Sequence, residues 1–85
     1  MENRERVAEF KAFFMNHKDK RFNFTIASYH DGYKTFTRYR GWGIWNVYPI
    51  QESDGNYWFA LEIVSPKGIH KLITSGQIEH FNIVK

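Results

Sequence analysis

Cysteine is absent from the 85 residues. Disulfides and thiolate metal sites are therefore excluded, and a reducing compartment is allowed. No stretch reaches the roughly 18 apolar residues that a membrane span requires. The first residues are charged and lack the apolar centre of a secretory signal. A cytoplasmic location with no membrane role is therefore expected. Charge of neither sign dominates: 12 Lys and Arg against 9 Asp and Glu leave a formal net charge of +3. That balance admits an anionic partner but is weaker than a typical nucleic-acid footprint, and it excludes a strongly acidic DNA mimic. Catalytic signatures are missing as well. There is no Gly-x-Ser-x-Gly elbow, phosphate loop or His-Glu-x-x-His helix. His17, His30, His70 and His80 have no partner histidine at the spacings that build a metal site. No spacing brings Glu62, Glu79 or Asp31 to His70 or His80. The expectation is a protein that is not an enzyme and has no catalytic residues, no bound metal and no cofactor.

What the chain does have is aromatic mass, 19% of its residues. A domain of this size buries only roughly 60–65% of its unfolded surface and is marginal by area alone. Rings that bury roughly 150–250 Å² each make up the shortfall. They are concentrated in Arg38–Ile50, Arg-Tyr-Arg-Gly-Trp-Gly-Ile-Trp-Asn-Val-Tyr-Pro-Ile. A strand with such a composition either lines a core or forms a surface for stacking, and alternation of side chains lets it do both.

Residues 1–85 read as a single domain. A helix is expected over about 3–17, since Val7, Phe10, Phe13, Phe14 and His17 follow three-and-four spacing. Asn3 suits the cap. Early Glu2, Glu5 and Glu9 and late Lys11, Lys18 and Lys20 suit the helix dipole. Glu2 and Arg6 form an i,i+4 pair. The ring stripe requires a partner, most simply the sheet of the same domain. From Arg21 the period falls to two. Phe22, Phe24 and Ile26 alternate with polar neighbours, and Asp31-Gly32 marks a hairpin. On the return strand Tyr33, Thr35, Thr37 and Tyr39 share one face, and Lys34, Phe36, Arg38 and Arg40 the other. Gly41-Trp42-Gly43 interrupts with a bulge, a sharp bend or a close backbone approach. Strand resumes over Ile44–Ile50, with Pro49 marking an edge or terminus. Glu52–Asn56 is a turn, Tyr57–Val64 one long strand, Ser65–Gly68 a turn and Ile69–Ile73 a short strand. Thr74 and Gln77 form a capping-box pattern around a single helical turn. Ile78, Phe81 and Ile83-Val84 close the chain as a strand.

The expected class is α+β, mainly β: an N-terminal helix and a five- or six-stranded, strongly bent antiparallel sheet or small barrel over about 21–85. The helix ending near Lys20, the hairpin strand Phe22–Tyr29 with Asp31-Gly32, and the run from Gly68-Ile69-His70-Lys71 to Ile83 together resemble the Sm-like and Src-homology-type small barrels. The helix is similar to that of the bacterial Sm-like RNA chaperones. No Sm signature carries binding residues here, so the resemblance implies a layout and no site.

Two binding functions fit the composition. Single-strand binders interleave aromatic rings with cations, and Lys34, Phe36, Arg38, Arg40 and Trp42 have that texture, with Lys67, His70 and Lys71 as additions. RNA or single-stranded DNA would be the partner. The alternative is a small regulator or inhibitor, of the kind that phages direct against host defence. It would hold a protein or a nucleotide-like ligand on a patch of Trp42, Trp45, Trp58 and Tyr48. The helix stripe and the strand end at Pro49 also suit a homo-oligomer.

Overall fold

The computed structural model describes residues 3–85. Glu2, and with it the expected Glu2–Arg6 pair, lies outside them. Asn3 caps helix α1 (Arg4–Met15), its Oδ1 accepting from the Arg6 N–H at 2.8 Å. Glu5 occupies the favourable first turn, but the last turn holds no basic residue because the helix stops at Met15. Lys18 and Lys20 therefore lie beyond it and do not serve its dipole. Seven strands follow: β1 (Arg21–His30), β2 (Tyr33–Val47), β3 (Gln51–Ser53), β4 (Asn56–Trp58), β5 (Ala60–Val64), β6 (His70–Thr74) and β7 (Ile78–Ile83). A single 3-10 turn, Ser75–Gln77, separates the last two. Gln77 Oε1 accepts from both the N–H and the hydroxyl of Thr74, at 3.0 and 3.1 Å.

Five strands form one antiparallel sheet in the order β6-β5-β2-β1-β7, and β3 pairs with β4 as a separate hairpin. Strands β6 and β7 are the two edges, so the sheet is bent and open. Both Asp-Gly pairs turn as their chemistry demands, with positive φ at Asp31, Gly32, Asp54 and Gly55.

The glycines after Arg40 bend strand β2 without breaking it. Its first part pairs with β1 as far as Gly43, and from Gly43 onward it pairs with β5. One strand thereby belongs to two ladders. Gly41 has φ +69°, while Gly43 has an ordinary φ, and a Cβ there would sit 3.6 Å from Val64 Cγ1. The bend therefore demands glycine at one position only. Gly41→Ala is expected to cost about 1–2 kcal/mol, the penalty of the left-handed region for an L side chain. Gly43→Ala should show no comparable loss. Urea midpoints for the two variants test this, and equal midpoints would refute it.

The expected strand Tyr57–Val64 is divided at Phe59. That residue is fully buried, its N–H donates to Ser75 Oγ at 3.1 Å, and its carbonyl accepts from Ser75 N–H at 2.8 Å. The 3-10 turn thus replaces a ladder partner, and inward packing of the ring decides the local path. The core lies between α1 and the sheet. Phe14 meets the rings of Phe22, Phe24, Phe59 and Phe81, with Leu61, Ile63 and Ile73 beneath. The helix thus covers the sheet of its own chain.

Candidate functional site

With Phe22, Phe24 and Ile26 turned inward, Asn23, Thr25, Ala27 and Tyr29 of β1 lie on the opposite face, where Ala27 is buried, Asn23 and Thr25 are half-buried and Tyr29 is exposed. Register extends that face over three strands. Thr25 lies opposite Arg38 of β2 and His80 of β7, Ala27 opposite Phe36, Tyr29 opposite Lys34, and Asn23 opposite Asn82. A bulge sits between Phe22 and Phe24, where Arg40 and Gly41 oppose Asn23 alone. Asn23 Oδ1 accepts from the Gly41 N–H at 3.0 Å, which fixes the bulge, and Arg21 Nη1 donates to the Gly41 carbonyl at 3.0 Å. The extra residue re-aims the strand. Arg38 and Arg40 then line one shallow depression of about 260 Å³ with Asn23, Thr25 and Asn82.

The face has two ends. At the polar end neither Arg38 nor Arg40 enters an ion pair among the described residues. At the aromatic end Tyr29 is 75% exposed and Phe36 57%. Lys34 stands between them, its Nζ 6.0 Å from the Tyr29 ring centroid and 5.5 Å from that of Phe36. The same Nζ pairs with Glu79 Oε1 at 2.7 Å. That hydrogen bond raises the Lys34 pKa and lowers the Glu79 pKa. The Lys34 charge is therefore balanced in place, and the free cations of this face are arginines.

Of the residues expected from sequence, Lys34, Phe36, Arg38 and Arg40 come together. Trp42 does not join them. It lies opposite Phe22, packs against the core and meets Tyr39 edge-on at 4.9 Å. Trp45 is 60% exposed on the other half of the sheet, edge-on to His70 at 4.9 Å. Trp58 belongs to the small hairpin, and Lys71 stands on edge strand β6 opposite Ile63. Three tryptophans thus occupy three separate places, and no ring contact joins any two of them among the described residues. Asn23, Thr25, Tyr29, His80 and Asn82 were not singled out from sequence. Alternation along β1 was the available signal for the first three. The two on β7 depend on a pairing more than fifty residues away in the chain.

The second half of the sheet holds a smaller cluster. Tyr48 Oη donates to Glu62 Oε1 at 2.9 Å, and His70 Nδ1 donates to Glu62 Oε2 at 2.7 Å. No spacing suggested this Glu62–His70 pair; the β5–β6 hairpin makes it. The hydrogen bond from Tyr48, followed by that from His70, lowers the Glu62 pKa. A lowered folded-state value means that the contribution is present above the ordinary carboxylate range and is lost as pH falls through the lowered midpoint. Tyr48→Phe should move that midpoint upward in an NMR titration of the Glu62 side-chain carboxyl. An unchanged midpoint would remove the hydroxyl as the cause. Among the described residues no three His, Asp or Glu side chains gather as a metal site would require, and no helix is long and apolar enough to cross a membrane. No protein-family model matches this chain, and neither the curated proteins nor the solved structures give a match to it.

Proposed function

We propose that the protein is a non-enzymatic module that binds single-stranded nucleic acid, RNA or DNA, on the solvent face of β7-β1-β2. One observation carries the reading: exposed Phe36 and Tyr29 share a sheet face with Arg38 and Arg40, which enter no ion pair among the described residues. Bases stack on the rings while phosphates lie along the arginines, with Asn23, Asn82 and His80 at the border as polar contacts. Lys34 orders the ring pair more than it binds phosphate, because Glu79 already holds its charge.

Polarisation of a fluorescently labelled oligonucleotide, titrated at about 50 and 200 mM salt, tests the reading. Binding at low salt should weaken roughly sevenfold at high salt, since each of two neutralised phosphates of a single strand contributes a slope of about 0.7. No binding at low salt, or binding indifferent to salt, would remove it.

A second reading has its own observation. Trp45, Ile69 and Leu72 are each about 60% exposed near edge strand β6, and an apolar strip beside an unpaired edge suits a protein partner or a second copy of this chain. Trp45→Ala would abolish that contact and leave oligonucleotide binding intact.

A further inference from the structure

Two hollows lie where helix α1, the β3–β4 hairpin and the 3-10 turn meet. On the helix side a cleft of about 380 Å³ is lined by Arg6, Phe10, Tyr57 and Ser75. On the hairpin side a second hollow of about 420 Å³ is lined by Tyr57, Trp58 and Thr74. Tyr57 and Gly76 line both, so the two hollows adjoin at these residues and together form the groove. Each volume falls in the range of roughly 300–1,000 Å³ typical of small-ligand sites. None of the residues assigned to the nucleic-acid face lines it.

Its chemistry is selective. Three aromatic side chains, Phe10, Tyr57 and Trp58, supply flat apolar walls. Among the described residues, Arg6 is the one charged residue lining either part, and no carboxylate lines them. Ser75 Oγ accepts from the Phe59 N–H at 3.1 Å, which leaves its own hydrogen to donate into the groove. Gly76 has an ordinary φ, and a Cβ there would meet nothing within 4 Å. Its lack of a side chain therefore answers no backbone demand. Gly76 is exposed, and it leaves open the place where the two hollows meet.

We propose that this groove binds a small planar aromatic molecule carrying one anionic group. The ring lies among Phe10, Tyr57 and Trp58, and the anion meets the Arg6 guanidinium, a planar donor whose fork matches a carboxylate. A neutral ring of the same shape would lose that contact, and a cation would be repelled.

The test uses 2-naphthoate and its neutral counterpart 2-naphthamide, followed by ¹H–¹⁵N NMR at the Trp58 indole N–H and the Gly76 amide. 2-Naphthoate should shift both signals saturably and bind at least tenfold tighter than the amide. Gly76→Leu, which adds bulk where the two hollows meet without backbone strain, should abolish the shifts. Arg6→Gln should reduce 2-naphthoate to the affinity of the amide. Arg6 is exposed, so this variant keeps the test decisive even where Gly76→Leu disturbs folding. Equal affinity for acid and amide, shifts centred on the Trp45 indole, or undiminished binding by folded Gly76→Leu would overturn the proposal. Oligonucleotide binding is read separately at Arg38 and Arg40, so failure of one site leaves the other standing.

Discussion

An Arg38→Ala/Arg40→Ala protein should fold as the parent does and bind a short oligonucleotide roughly 30- to 150-fold more weakly at low salt. Both side chains are exposed and neither is in an ion pair among the described residues, so their removal leaves no buried charge and no broken network. Each charge-assisted contact contributes about 1–1.5 kcal/mol, at or just below the low end of the usual range because the face is open to solvent. The salt slope should fall by about 1.4, two phosphates at about 0.7 each. Two comparisons sharpen the measurement. Phe36→Ala should weaken binding by about 1–3 kcal/mol, the contribution of one stacked base, while leaving the salt slope unchanged. Lys34→Ala should do less than either arginine, because its charge is already opposed by Glu79 at 2.7 Å. Circular dichroism and urea unfolding confirm that each variant is folded before its affinity is read. Unchanged binding by the folded double variant would end the nucleic-acid reading.

Phe14→Ala is the substitution expected to harm the fold most. The side chain is wholly buried and its ring lies within 6.3 Å, centroid to centroid, of Phe10, Phe22, Phe24, Phe59 and Phe81. It joins the helix to strands at both ends of the chain. Truncation forfeits transfer free energy and leaves a cavity between rigid rings, about 3–5 kcal/mol in all. A chain of 85 residues is stable by only about 4–13 kcal/mol at the usual 0.05–0.15 per residue. The variant should therefore be partly unfolded at room temperature or melt roughly 15–30 °C lower. Phe14→Leu, which retains much of the volume, should lose less than half as much. Urea unfolding followed at 222 nm measures both. A loss below about 1 kcal/mol for the alanine variant would mean that α1 does not pack on this sheet.

Local periodicity made much of the fold legible. Three-and-four spacing of Val7, Phe10, Phe13 and Phe14 marked the helix and its buried stripe. Alternation in Phe22–Ile26 and Tyr33–Arg40 marked two strands and their faces, because a strand reverses its side chains at every residue. Asp31-Gly32 marked the first tight hairpin, and the turn read over Glu52–Asn56 is the one that joins β3 to β4. Where tertiary contacts overrode local pattern, the reading departed from the structure. Tyr57–Val64 has the composition of one strand, yet burial of Phe59 and its exchange with Ser75 divide it. Glu62 and His70 have no telling separation in sequence, yet the hairpin between them brings them within 2.7 Å.

The candidate site divides in the same way. By itself the sequence determined that Lys34, Phe36, Arg38 and Arg40 share a face, since spacing of two within one strand settles that without knowledge of any partner. Only the tertiary structure decided the rest. It turned Trp42 to the core opposite Phe22, because the bulge at Arg40-Gly41 shifts the alternation that follows. It brought His80 and Asn82 to Thr25 and Asn23 by pairing the last strand with the first. It also left the groove between α1 and the small hairpin open over Gly76. Contacts between residues fifty positions apart depend on how sheets and helices pack as bodies, and no local pattern of residues encodes that choice.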